Sequence, residues 1–173
     1  RGLLDQRAGQ QRALRRQAQW VELAAFWQAR AERSPSREAK VAAQLALADV
    51  AARHLNDADR ARAAVAAAQA LDAGDPRVVR QLRDKLVAGE RWAELAELLT
   101  GALKARRGSD EADAPLLSEL GELQWKRLGD ETSAEEAFRR VRKVDPANQL
   151  ALEFYRGFYR TRNEPQKLLQ VLR

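Results

Sequence analysis

The chain has 173 residues, 45% hydrophobic and 32% charged, with 31 Lys and Arg against 25 Asp and Glu and a formal net charge of +6. That balance excludes a disordered chain, and no apolar run reaches the ~18 residues that a membrane-spanning helix needs. The absence of Cys excludes disulfides and thiolate metal sites.

In chain order, the segments carry helical spacing, strong helix formers and few β-branched residues, and none reads as a strand. The opening Arg1-Gly-Leu-Leu-Asp-Gln-Arg7 lacks the apolar core of a signal peptide. Helices are expected over roughly 2–17, 20–33, 37–54, 58–72, 76–88, 92–106, 114–128, 132–144, 147–161 and from 165 onward. Ser34-Pro-Ser36 supplies an N-cap, and Asn56-Asp57 and Gly129-Asp130 mark tight turns. Asp75-Pro76 and Asp145-Pro146 each set a carboxylate cap before a proline, and Gly108–Asp113 reads as a polar loop. Short connections make consecutive helices antiparallel neighbours. The lack of Met, and an end that stops inside an apolar helical pattern at Lys167–Arg173, lead to the expectation of a piece of a longer protein. Ala- and Arg-rich usage points to a GC-rich bacterial genome.

The chain also repeats itself. Trp20-Val-Glu-Leu-Ala-Ala-Phe26 returns as Trp92-Ala-Glu-Leu-Ala-Glu-Leu98, 72 positions on, and Arg53-His-Leu-Asn-Asp57 returns as Lys126-Arg-Leu-Gly-Asp130, 73 positions on. A third copy begins where Leu168, Val171 and Leu172 follow Leu95, Leu98 and Leu99 at the same spacing. Self-similarity at a fixed period is the signature of a solenoid. The stripes Trp20/Leu23/Ala24/Trp27, Trp92/Leu95/Ala96/Leu99 and Leu120/Leu123/Trp125/Leu128 read as core faces.

Leu117-x2-Leu120-Gly121-x2-Gln124, then Ala134-x3-Phe138 and Pro146, resembles the tetratricopeptide repeat, whose pattern is W-x2-L-G-x2-Y, A-x3-F and P in about 34 residues. Gln44-x2-Leu47-Ala48-x2-Ala51 and Ala61-x3-Val65 form the equivalent unit one period earlier. In the intervening units Arg83 and Arg156 stand where the family keeps a small residue. HEAT-type repeats of about 40–47 residues are the nearest structural competitor. The resemblance implies an all-α fold: one domain over 1–173, a right-handed α-solenoid of about five antiparallel helix hairpins with a 73-residue, two-hairpin period. The first helix of each hairpin, beginning near 2, 37, 76, 114 and 147, would line the concave surface.

Catalytic chemistry has little to stand on, so no catalytic, metal or cofactor site is expected. His54, the single histidine, reads as a polar position near a helix end, equivalent to Arg127. Glu135-Glu136 and Asp110/Glu111/Asp113 read as acids favoured by helix dipoles and loops. The densest basic run, Arg139-Arg140-Val141-Arg142-Lys143, falls on a second helix and therefore on the convex side. Arg77, Arg80 and Arg83 recur along one flank of the helix from 76, and Glu153, Arg156 and Arg160 along the helix from 147. These six are the candidate partner-binding residues of the groove, suited to an acidic peptide or a C-terminal carboxylate.

The expected function is a non-enzymatic scaffold that binds a protein or peptide, or a second copy of itself, with no membrane insertion. The alternatives are a basic nucleic-acid-binding repeat, less favoured because the aromatics fall on core faces, and a regulatory segment of a larger enzyme. A cytoplasmic location is the default expectation, with periplasmic or envelope assemblies as the other setting.

Overall fold

In a computed structural model of the chain, the described residues are 2–106 and 108–172, with side chains described from 15 to 106 and 108 to 171. Among them the fold is all-α. Helix α1 spans Gly2–Arg33, α2 Arg37–Arg53, α3 Ala58–Leu71, α4 Pro76–Ala88 and α5 Trp92–Arg106. Helix α6, Asp110–Leu123, runs into a π turn at Gln124–Leu128, and α7 (Glu131–Val144), α8 (Gln149–Thr161) and α9 (Pro165–Leu172) follow. None of these helices is long and apolar enough to cross a membrane.

The 73-residue period is written into the helix ends. Ser36 and Ser109 stand one period apart and cap α2 and α6, their hydroxyls accepting from the N–H of Ala39 (3.1 Å) and Ala112 (3.3 Å). Asp57 and Asp130, again one period apart, cap α3 and α7 by accepting from the N–H of Arg60 (2.9 Å) and Ser133 (3.0 Å). A side-chain acceptor at this position satisfies a helix donor that has no partner within the helix.

Just before those aspartates the chain passes through the left-handed region at Asn56 (φ 52°) and Gly129 (φ 68°). Glu90 (φ 52°) and Asn163 (φ 54°) do the same between α4 and α5 and between α8 and α9. The four left-handed residues follow one another at intervals of 34, 39 and 34 positions. The turns therefore repeat at the length of one hairpin and also at the length of two.

Four expectations need correction. Asp145-Pro146 does not open α8, which begins at Gln149 and is capped by Asn148, its Oδ1 accepting from the Ala151 N–H at 3.2 Å. The helices expected at 2–17 and 20–33 are one unbroken helix, α1. Gln10-Gln-Arg-Ala-Leu-Arg-Arg-Gln-Ala-Gln19 contains no Gly, Pro, Asn or Asp to stop it, so the first of the five hairpins does not form. The expected loop at 108–113 is mostly helix, because Ser109 caps α6 and Asp110, Glu111 and Asp113 fall in its first turn. Pro115 then lies inside the helix, where it leaves the carbonyl of the exposed Glu111 without its helical donor. Leu128, expected in a core stripe, is 40% exposed at the end of the π turn.

Contacts group the chain into two compact units, Arg1–Val78 and Val79–Arg173. In the first, α1 packs along α2 and α2 along α3. Its core is built from small side chains: Ala24 and Ala31 of α1, Val41, Ala48 and Ala51 of α2, and Ala61, Val65 and Ala68 of α3. Such side chains allow close helix approach but bury little area each. At the edge of this core Trp20 lies flat against His54, ring centroids 3.6 Å apart.

The second unit has larger side chains. Leu95, Leu98 and Leu99 of α5 meet Val79 of α4 and Leu120 and Leu123 of α6, with Leu82 and Leu86 packed alongside. A second cluster joins Phe138 of α7, Phe154 and Tyr155 of α8 and Val171 of α9, with Trp125 of the π turn against it. Leu168 is half-buried, and the side chain of Leu172 lies outside the described residues. Gly121 is required where α6 meets α7: a Cβ there would stand 2.9 Å from Cζ of Phe138. Tyr155 donates to Glu135 Oε1 at 3.1 Å, and burial, with the Glu135 carboxylate beside it, pushes its phenol well above the ordinary value. Asp113 is buried with Arg106 Nε 3.7 Å away.

Candidate partner-binding cleft

Helices α4, α5 and α6 with its π turn enclose a cleft of about 430 Å3, lined by Val87, Trp92, Leu95, Glu119, Glu122, Leu123, Lys126 and Arg127. Leu95 and Leu123 belong to the leucine core, so the floor is a continuation of it. Val87, 41% exposed, extends that apolar surface toward the mouth. Trp92, the first residue of α5, follows the left-handed turn at Glu90 and stands half-buried at the edge.

The rim is charged and ordered by pairing. Arg127 holds its guanidinium carbon 4.8 Å from the centre of the Trp92 ring, a cation–π distance. Lys126 donates to Glu122 Oε1 at 3.1 Å and lies 3.8 Å from Glu153 Oε2. Its ammonium also stands 5.0 Å from the Trp125 ring. Glu119 accepts from Arg83 Nε of α4. Among the described residues Arg127 has no acidic partner, and the lining contains no Ser, Thr, His or Cys. The lining offers apolar contact flanked by charged groups.

The π turn positions these cations. Its bonds span five residues, with the Gly129 N–H donating to the Gln124 carbonyl, and the left-handed Gly129 closes it. The wider turn lets Lys126 and Arg127 project along the cleft while Leu128 remains outside the core. Irregular turns of this kind recur at functional sites. A second cleft of about 530 Å3, between α5, α6 and α7, has a mixed lining that includes Lys104, Gln124, Ser133 and Arg140.

The six sequence-selected residues do not form one cluster. Arg77 is bound to Asp75, two residues before it, with Nη2 2.7 Å from Oδ2. Hydrogen bonds from Arg77 hold the Asp75 carboxyl below its ordinary value, so this pair completes the turn into α4. Arg83 and Glu153 reach the cleft through their partners Glu119 and Lys126. Arg80, Arg156 and Arg160 are exposed and make no ion pair among the described residues.

In the basic run, Arg140 grips Asp110 at 2.7 Å. Arg142 donates to the Val171 carbonyl at 2.9 Å and lies over Tyr155. Half of that run therefore joins helices rather than presenting a free basic surface.

Trp92, Glu119, Glu122 and Arg127 escaped sequence reasoning because each has an ordinary alternative, a core aromatic or a solvated charge. One signal was available. His54 and Arg127 are equivalent by repeat, and each covers the tryptophan that opens the matching segment, Trp20 or Trp92. No family model matches the chain, and no curated protein matches it in sequence.

Proposed function

We propose that the chain is a non-catalytic protein-interaction module in which α2–α3, α4–α5, α6–α7 and α8–α9 are tetratricopeptide-like hairpins of an α-solenoid. The partner is a protein or peptide segment that places an apolar side chain on Val87, Trp92 and Leu123. A carboxylate of the same segment meets Arg127. The observation that carries this reading is the Trp92–Arg127 cleft, a preformed apolar floor beside a cation that no acid of the described residues neutralises. The recurrence of left-handed turns at intervals of 34, 39 and 34 residues supports the repeat assignment. Arg80, Arg83, Arg156 and Arg160 extend the basic character along the first helices, in keeping with an acidic segment.

Selection of random peptides on the immobilised chain tests the reading. Binders should be enriched in an apolar residue adjoining Asp or Glu. Trp92→Ala or Arg127→Ala should weaken them roughly tenfold or more, as expected for side chains that the bound segment would bury. The Arg80/Arg83/Arg156/Arg160 quadruple Ala variant should lower affinity further in low salt. Selected peptides that bind the Trp92→Ala variant unchanged would remove the cleft from the site. Tight binding of labelled single-stranded nucleic acid at physiological salt, with a steep log–log salt dependence, would favour the nucleic-acid alternative instead.

A further inference from the structure

Helix α1 presents a second surface that its own unit does not use. Ala24 and Ala31 are buried where α1 packs on α2, and Gln28 accepts from Arg60 of α3 at 2.8 Å. Phe26 points away from both contacts and is 53% exposed. Residues four apart share a helix face, so Glu22 and Arg30 flank Phe26 at equal distances on either side. Both are exposed and make no ion pair among the described residues. Just beyond Phe26 lies a groove of about 410 Å3 lined by Phe26, Ala29, Arg30, Arg33, Ser34 and Pro35. The lining carries two arginines and no carboxylate, and the Arg30 guanidinium carbon stands 6.0 Å from the Trp27 ring centre.

The geometry points to a second copy of this chain as the occupant, with two α1 helices antiparallel about a twofold axis at Phe26. In that arrangement residue 26 − n lies opposite residue 26 + n of the other copy. Glu22 then meets the partner's Arg30 on both sides of the axis, and its carboxylate enters the groove that holds Arg30 and Arg33. Each Phe26 covers the other. An interface in which the same patch serves both copies, with its acid and base symmetrically placed, is self-complementary. Symmetry about Phe26 confines the contact face to the stretch from Gln19 to Arg33, about 21 Å of helix, which sets a reversible dimer rather than an obligate one.

Sedimentation equilibrium of the full chain, from about 1 to 200 μM, reads the association directly. A monomer–dimer equilibrium is expected within that range. Phe26→Glu should weaken it by roughly tenfold or more while leaving thermal unfolding unchanged, since the ring is half outside the fold. Glu22→Arg alone and Arg30→Glu alone should each weaken it by about the same factor, and the two together should recover roughly tenfold over either single variant. A monomer throughout the range, a dimer indifferent to Phe26→Glu, or a double variant no tighter than the single ones would each overturn the assignment.

Discussion

Hairpins α2–α3 and α6–α7 stand one 73-residue period apart and share caps, left-handed turns and close helix approach. The α2 residue one period before Gly121 of α6 is Ala48, and the α3 residue one period before Phe138 of α7 is Val65. All four are buried. One hairpin divides the space between two middling side chains, and the other gives it to one ring lying over a glycine. The consequence extends past the hairpin, because the Phe138 ring reaches Phe154 at 5.1 Å and nucleates an aromatic cluster with α8. Val65 is too short for that. A repeat can thus keep its backbone spacing while moving its large side chain to whichever neighbour needs a core.

The comparison breaks most visibly at the ring. Phe138→Ala should cost about 3–5 kcal/mol, whereas Val65→Ala, with two methyl groups fewer, should cost about 2 kcal/mol; urea unfolding of each variant measures both. Next comes the glycine. Gly121→Ala should destabilise by about 1–2 kcal/mol, because overpacking against a fixed ring outweighs the gain in helix propensity. Equal stability in thermal melts would show that the ring can yield.

A sharper test rebuilds one hairpin in the other's image. Gly121→Ala combined with Phe138→Val should be less destabilised than the sum of the single changes by roughly 1 kcal/mol, since the new methyl occupies space the ring has left. Strict additivity would mean that the two positions do not share volume.

The turns should respond oppositely. Gly129→Ala places a Cβ in the left-handed region and should cost about 1 kcal/mol, while Asn56→Gly should be neutral or slightly stabilising. The finest distinction is in the caps. Hydrogen bonds from the Ser133 hydroxyl and N–H hold the Asp130 carboxyl below its ordinary value of 3.8. Its stabilising contribution is therefore complete above that pH and lost as pH falls through the lower folded value. The difference in melting temperature between the native chain and Asp130→Asn should be largest near neutrality and shrink below about pH 4.

Much of the fold is legible in the residues themselves. The Ser36 cap, the Asp75-Pro76 boundary and the Asn-Asp and Gly-Asp turns mark where helices start and stop, because each satisfies or releases a backbone group locally. The failures are equally local in origin. The Trp20 echo suggested a turn before it, yet only the Trp92 copy is preceded by Gly89 and the left-handed Glu90. The acidic stretch 108–113 looked like a loop because three acids cluster there, although acids also suit the first turn of a helix. The cleft was legible only as fragments, since Glu119, Arg127 and Val87 are unremarkable until α4, α5 and α6 are brought together.

The amino-acid sequence alone determined that the described chain is helical, where most helices end, and that segments recur at a spacing of 72–73 residues. Those features depend on backbone donors and acceptors and on residues a few positions away. Tertiary structure decided which tryptophan face a cation covers, which arginines are consumed by neighbouring acids, and which apolar face of α1 is left open. Those outcomes depend on side chains from different helices meeting in space, and no single helix carries the information.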